Sequence, residues 1–304
     1  MKLGIFLPLG SGGAGTRDFL SSGAVAAEEA GFHSLWFGEH AVLFDEHRSE
    51  YPYAPKGGKF PISGEAGMIE PFTAIAFAAA VTRRIRLGTG VCLVPQRPPI
   101  YTAKQVADCD VLSGGRFDFG VGIGWLREEF AALGVAFEDR ALRCREYLAA
   151  MRSLWCDPVS SHEGRFVSFP PLRMFPKPIQ KPHPPIIFGG ESDAALRRVG
   201  DLGQGWFGFN LLPNEARERI AVLDAILERR GRDPNSVEIS VSPYTKPARD
   251  RASLEAYAQA GVDQVIHLVS ANSVEAAVRE IRELGKELLP VANAAGKVRR
   301  RGPA

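Results

Sequence analysis

The 304-residue chain holds only four cysteines, Cys92, Cys109, Cys144 and Cys156, and no two of them form a C-x-x-C pair. No histidine stands beside them at metal-ligand spacing, so neither a metal site nor a disulfide framework is indicated, and reduced structural thiols are expected. Long hydrophobic runs are missing as well: nothing approaches the roughly 18 apolar residues that crossing a bilayer requires. The apolar stretch after Met1 covers only 2–9 and is strand length, too short for a secretory core, which points to a cytoplasmic protein. An excess of one charge is also absent. The 37 Lys and Arg and 35 Asp and Glu give a net charge of +2 with no footprint for nucleic acid or an anionic membrane. With 45% hydrophobic and 24% charged residues the composition is that of an ordinary globular chain, so small molecules are the expected partners.

What is present is an alternation. Short β-branched or aromatic runs at 2–8, 34–39, 85–94, 117–123, 185–189, 206–210, 238–243 and 264–269 each precede a stretch of helical period, at 16–30, 71–82, 100–112, 126–156, 192–202, 214–230, 252–259 and 273–289. Gly31, Gly231 and Gly261 stand where a helix C′ residue takes positive φ. Eight such units in about 290 residues fit a closed (β/α)8 TIM barrel better than an open doubly wound sheet of five or six strands. One barrel domain over 1–290 is expected, followed by a flexible basic tail over 291–304. Two stretches break the rhythm. Residues 43–69 form a long loop of the kind that serves as a lid, and the proline-rich 159–184 is an insertion with at most a short hairpin around Gly164 and Phe166.

The loop after the first strand reads Gly10-Ser-Gly12-Gly-Ala-Gly15, a formal G-x-G-x-x-G, with Glu39 ending the next strand. Pro8 interrupts the strand-to-loop passage, and the eightfold count contradicts the open sheet that gives this motif its meaning. Thr16 stands where a phosphate-binding loop needs lysine. More specific signals sit at the ends of later strands, where barrel enzymes build their sites. The second strand ends Trp36-Phe-Gly-Glu39-His40, the third contains Leu87-Gly-Thr-Gly90-Val91, the fourth ends Gly120-Val-Gly122-Ile-Gly124-Trp125 before Arg-Glu-Glu-Phe, and the fifth ends Phe188-Gly189-Gly190-Glu-Ser192. Glycines there admit a flat ring or a phosphate close to the backbone, with Ser192 at a helix N-terminus; each pair taken alone is equally well a turn or cap. Glu39 and His40 are a polar pair at a barrel mouth, the histidine able to give or take a proton near neutral pH. His33, His47, His162, His183 and His267 have no evident partner and are read as structural.

These four strand-end motifs in this order, with the opening Lys-Leu-Gly-Ile-Phe-Leu-Pro and Leu112-Ser-Gly-Gly-Arg-Phe, resemble the luciferase-like monooxygenase superfamily, in particular its branch that uses the deazaflavin coenzyme F420. The resemblance runs to about Asn210. It implies a non-prolyl cis peptide at Gly90-Val91 beneath the middle ring of the flavin. It also implies cofactor contacts from Gly122, Gly124 and Trp125 and from Gly189, Gly190 and Ser192. His40 matches the active-site histidine of the sugar-phosphate dehydrogenases of that branch. Those enzymes carry a glutamate where this chain has Trp125, which counts against a sugar phosphate and suggests an aromatic wall.

The reading that follows is hydride transfer between F420 and a small organic substrate, with His40 as proton donor or hydrogen-bonding partner and Glu39 as its neighbour. The alternatives are an FMN-dependent monooxygenase supplied by a partner flavin reductase, and a non-catalytic flavin-binding protein. The almost wholly apolar 71–82 segment, together with 100–112, is expected at a homodimer interface.

Overall fold

The computed structural model describes residues 1–10, 15–55, 57–66, 68–246 and 248–294. Its strands are β1 (Lys2–Phe6), β2 (Ser34–Phe37), β3 (Arg86–Thr89), β4 (Cys92–Leu93), β5 (Phe117–Gly122), β6 (Ser160–Glu163), β7 (Ser168–Leu172), β8 (Ile186–Gly189), β9 (Gly205–Phe209), β10 (Glu238–Ser242) and β11 (Gln264–Leu268). The helices are α1 (Arg17–Ala30), α2 (Pro71–Val81), α3 (Pro99–Ser113), α4 (Arg127–Ala132), α5 (Arg140–Cys156), α6 (Asp193–Leu202), α7 (Pro213–Glu228), α8 (Arg251–Gln259) and α9 (Val274–Ala294).

β1, β2, β3, β5, β8, β9, β10 and β11 pair in parallel in that order, and β11 returns to β1, so the eight expected strands close into a TIM barrel. The expected third strand is in two pieces. β3 pairs with β2 and β5, the chain then kinks at the cis peptide Gly90-Val91, and β4 resumes pairing with β5 through Cys92 and Leu93. β6 and β7 make the antiparallel hairpin of the insertion.

Alternation along each strand divides the apolar residues between two layers. Leu3, Ile5, Leu35, Phe37, Leu87, Phe117, Phe119, Val121, Ile186, Phe188, Ile239, Val241 and Val265 face the helices and join one large core with residues such as Ala24, Ala78, Val106, Leu148 and Leu223. Each such side chain, fully buried, contributes about 1.5–3 kcal/mol. The alternate residues Trp36, Ile187, Phe207 and Ile266, with Phe6 and Phe209, form a separate cluster inside the barrel. Trp36 carries a polar atom into that interior, and its Nε1–H donates to Ser34 Oγ at 2.7 Å.

The helix ends obey local chemistry. Thr16 caps α1 by accepting from Phe19 N at 3.2 Å, and Gly31 closes it at φ 97°. Glu70 caps α2 on Thr73 N at 2.8 Å, with Pro71 in the first turn, where its missing N–H costs nothing. Gly231 and Gly261 also take positive φ, at 65° and 93°.

Three expectations need correction. The helix expected over 126–156 is two helices, because Gly134 at φ 69° ends α4 and the chain re-enters α5 only at Arg140. The expected tail begins too early: α9 continues to Ala294, with Ala292 buried and its carbonyl accepting from the Met1 amino group at 2.8 Å. Residues 295–304 lie outside the described residues, as does Gly12 of the glycine motif. Finally, α2 is not apolar toward solvent all round: Ala74, Ile75, Ala78 and Ala79 are buried in this chain, leaving Thr73, Ala80 and Val81 exposed and Phe77 half-buried.

Among the described residues no helix is long and apolar enough to cross a membrane, and no three His, Cys, Asp or Glu converge as a metal site.

Candidate active site at the barrel mouth

His40 follows β2 at the mouth, and its side chain is 8% exposed. Its Nδ1 lies 3.1 Å from Glu129 Oε2, on α4. Glu129 is fully buried and also accepts from Ala41 N at 2.7 Å, Val42 N at 3.4 Å and Gln96 Nε2 at 3.1 Å. Burial by itself would raise the Glu129 pKa, but the bonds from His40, Gln96 and the Ala41 amide outweigh it and hold the carboxyl below its ordinary value. An ionised Glu129 accepts at Nδ1, so His40 carries its proton there and leaves Nε2 as the acceptor, with no other partner among the described residues.

Glu39, the neighbour expected to serve His40, is directed elsewhere. It pairs with the Arg97 guanidinium and accepts from the amide of Leu93 in β4. Arg97 in turn bonds Glu70 at 2.8 Å and Gln105 at 3.0 Å and lies 4.9 Å over the Phe72 ring. Burial pushes the Glu39 carboxyl up against the pull of Arg97. This network fixes β4 and the segment after it to β2. The carboxylate that touches His40 is Glu129, 89 positions away in sequence.

Val91 emerges half-buried from the kink between β3 and β4. A Cβ on Gly122 would stand 2.5 Å from Val91 Cγ2, and one on Gly189 would stand 3.1 Å from Cγ1. Two of the expected cofactor glycines thus admit the Val91 side chain between β5 and β8, and a Cβ on Gly90 would press on Phe6 at 2.9 Å. Gly124 and Gly190 have backbone reasons of their own, with φ of 79° and 100°. The Ser192 hydroxyl caps α6 by accepting from Ala195 N at 3.2 Å, and Asp193 beside it pairs with Arg219. The result is an apolar floor at the mouth, made by Val91 between β5 and β8 with Phe6 beside Gly90.

The loop between β2 and α2, expected as a lid, reaches α4, Trp125 and the end of β9. One arm is tied to α4, where Glu128 accepts from Arg48 N at 2.6 Å, Ser49 N at 3.2 Å and Ser49 Oγ at 2.7 Å. The rings of Tyr51 and Phe60 reach Trp125 with centroids at 5.2 and 5.8 Å, and Trp125 stands edge-on to His40 at 5.8 Å. Trp125, suggested by the sequence as an aromatic wall, thus sits among the rings of Tyr51, Phe60 and His40. His47, read from sequence as structural, joins the same group at 5.7 Å from Trp125.

On the opposite side Tyr53 packs on Phe209 at 4.7 Å, and Phe209 on Tyr244 at 4.6 Å. Glu191, quoted in a sequence motif only for its glycines, accepts from Phe209 N at 2.8 Å. Burial raises its pKa to about 7 despite the Phe209 amide. Asn210 and Tyr244, which end β9 and β10, hold φ of 54° and 52°. Non-glycine residues in this region cluster where surrounding contacts over-determine the backbone, commonly at functional sites.

The luciferase-like monooxygenase family profile matches residues 1–298. The chain belongs to this family. An uncharacterized protein of Mycobacterium tuberculosis is 32% identical over 273 residues, which cover 88% of this chain and 93% of the relative. The crystal structure of the monooxygenase RslO1 from Streptomyces bottropensis superposes with a TM-score of 0.75 at 25% identity, covering 95% of this chain and 99% of that one. An F420-dependent secondary alcohol dehydrogenase in complex with an F420-acetone adduct shares the fold at TM-score 0.75 and 17% identity, with 96% and 98% covered. Family members are oxidoreductases or monooxygenases, and they act on small molecules.

Proposed function

We propose that this protein is an F420-dependent oxidoreductase that moves a hydride between the deazaflavin and a small, largely apolar organic substrate. The observation that carries this reading is the buried His40–Glu129 pair at the mouth, with one ring nitrogen committed to a carboxylate and the other free. The residues present fit a flat cofactor: Val91 with Gly90 makes an apolar floor, Gly122 and Gly189 seat that valine, and Trp125 with Gly124 forms the wall. They fit the phosphate less generously. The Gly189–Gly190–Ser192 turn carries Glu191 and Asp193, so it suits an anion only with Glu191 protonated and Asp193 neutralised by Arg219.

The bound deazaflavin supplies or accepts the hydride. His40 Nε2 takes or returns the accompanying proton, and Glu129 fixes the tautomer and stabilises the charged ring. The lid residues Tyr51, Tyr53 and Phe60 exclude water from the reacting atoms. Aromatic lining at the mouth favours an apolar or planar substrate over a sugar phosphate.

A second reading, an FMN-dependent monooxygenase supplied with reduced flavin by a reductase, draws on the likeness to RslO1, whose name declares a monooxygenase. Fluorescence titration with F420 and with FMN separates the two. Tighter binding of F420 supports the first reading, and binding of FMN alone overturns it.

A homodimer belongs to the same proposal. Ala80 and Val81 on α2, with Ile100, Tyr101 and Leu112 on α3, expose apolar surface on adjacent helices, and Tyr101 is 74% exposed. Light scattering at micromolar concentration is expected to give the mass of two chains and, for Val81→Glu with Tyr101→Glu, of one.

A further inference from the structure

Past the Gly90-Val91 kink the chain makes one 3-10 turn at Val94–Gln96, closed by Arg97 N donating to Val94 O at 3.2 Å. Two successive side chains leave this turn toward two different carboxylates. Arg97 pairs with Glu39, the residue before His40, and Gln96 Nε2 donates to Glu129, the residue that His40 bonds. The segment leading away from the floor therefore holds the end of β2 twice. Glu129 also sorts its donors: Oε1 takes the amides of Ala41 and Val42, whereas Oε2 takes Gln96 Nε2 and His40 Nδ1, both at 3.1 Å. A side-chain amide and the imidazole thus share one oxygen. The other groups at the His40 ring are Phe60 at 5.1 Å and Trp125 at 5.8 Å; Trp125 in turn meets His47, while Glu39 is engaged by Arg97.

We propose that Gln96 is a positioning residue that sets how tightly the Glu129–His40 pair holds its proton, because it donates to the same carboxylate oxygen as the imidazole. A donor on an ionised carboxylate stabilises the charge there and weakens its hold on the next proton. Replacing Gln96 by a side chain of similar length without a donor leaves Oε2 to His40 alone. The carboxylate is then more basic, and the pair keeps its proton to higher pH. His40 Nε2 becomes free to accept only after that proton has gone, so Gln96 extends the acceptor form toward lower pH. The catalytic meaning of this rests on the role proposed for His40; the titration of the pair does not.

Nitrogen NMR of the full chain labelled at histidine and glutamine, without added cofactor, tests it from about pH 5 to 9. In the wild type the His40 ring nitrogens and the Gln96 carboxamide are expected to change at one common midpoint, since both bond Oε2. Gln96→Met should raise the His40 midpoint by about one pH unit, the scale of one donor on a charged acceptor. Gln105→Met is the control for general loosening: it removes a contact of Arg97 and none of Glu129, so the midpoint is expected to stay. A wild type without a common step, a Gln96→Met midpoint that holds or falls, or an equal rise in Gln105→Met would overturn the proposal. If Gln96→Met fails to fold, the wild-type Gln96 signal decides it. Binding of F420 or FMN plays no part in this readout, so its failure and the failure of the proposed activity are separate results.

Discussion

Glu129, on the side of the mouth built by β2, β3 and β5, and Glu191, on the side built by β8, β9 and β10, are both withdrawn from water, yet their pKa values move in opposite directions. Burial is the largest influence on each, and it pushes both up. The difference lies in the donors: Glu129 receives two amides, a glutamine and a histidine, whereas Glu191 receives one backbone amide. Two carboxylates with the same intrinsic chemistry thus become a fixed charge on one side and a titrating group on the other, the kind of divergence that assigns acid and base roles in enzymes. The charged one orients His40; the titrating one holds the Phe209 amide, on whose ring Tyr53 packs.

The strongest way to break this comparison is to remove the group that Glu129 orients. His40→Ala is expected to lower turnover by about 10²–10⁴-fold while leaving the cofactor dissociation constant nearly unchanged, because proton exchange acts in the transition state. Loss of affinity with wild-type turnover would make His40 a ring contact. Next in size is Glu129→Ala, which leaves the amides of Ala41 and Val42 and the side chains of His40 and Gln96 without an acceptor. It is expected to cost about 3–5 kcal/mol in urea unfolding. The lowered pKa gives this contribution a direction: it is present above about pH 4.5 and is lost as pH falls through the folded-state value.

Glu191 predicts the opposite slope and a smaller effect. Its raised pKa means the wild type loses stability as pH climbs from about 4.5 to about 7. Glu191→Gln should therefore gain up to about 2–3 kcal/mol over the wild type at pH 9 and almost nothing at pH 5, as urea midpoints at the two pH values will show. The smallest effect tests the floor between the two sides. Gly122→Ala places a methyl against Val91 and is expected to cost about 1–3 kcal/mol by overpacking. Reduced cofactor affinity should accompany it, because Val91 must shift; unchanged affinity would remove Val91 from the cofactor floor.

The two sides also differ in how much of them the sequence disclosed. Strand order, closure and caps were legible because each depends on residues a few positions apart: alternation in Leu3-Gly-Ile-Phe, a threonine before α1, a glycine after it. Gly134 was overlooked inside a long run of helix formers, although an isolated glycine there is a warning. His40, Trp125 and the Gly90-Val91 kink were found through motif and resemblance. Glu129 was quoted in Arg-Glu-Glu-Phe but not chosen, since adjacent glutamates on a helix look alike until one faces the barrel and the other the lid. Glu39 was favoured over it by adjacency, yet neighbours along a chain leave a strand end in different directions. Glu191 has no local signal; its surroundings form only when the end of β9 brings the Phe209 amide to it from 18 positions later in the chain.

The central claim is that His40 on Glu129 serves a flavin-type cofactor bound at this mouth, and the most direct measurement of it is a fluorescence titration of wild type and His40→Ala with F420 and with FMN. The account predicts saturable quenching, tighter for F420, with the two proteins agreeing to within about threefold. Binding of neither compound, or binding abolished in His40→Ala, would contradict it.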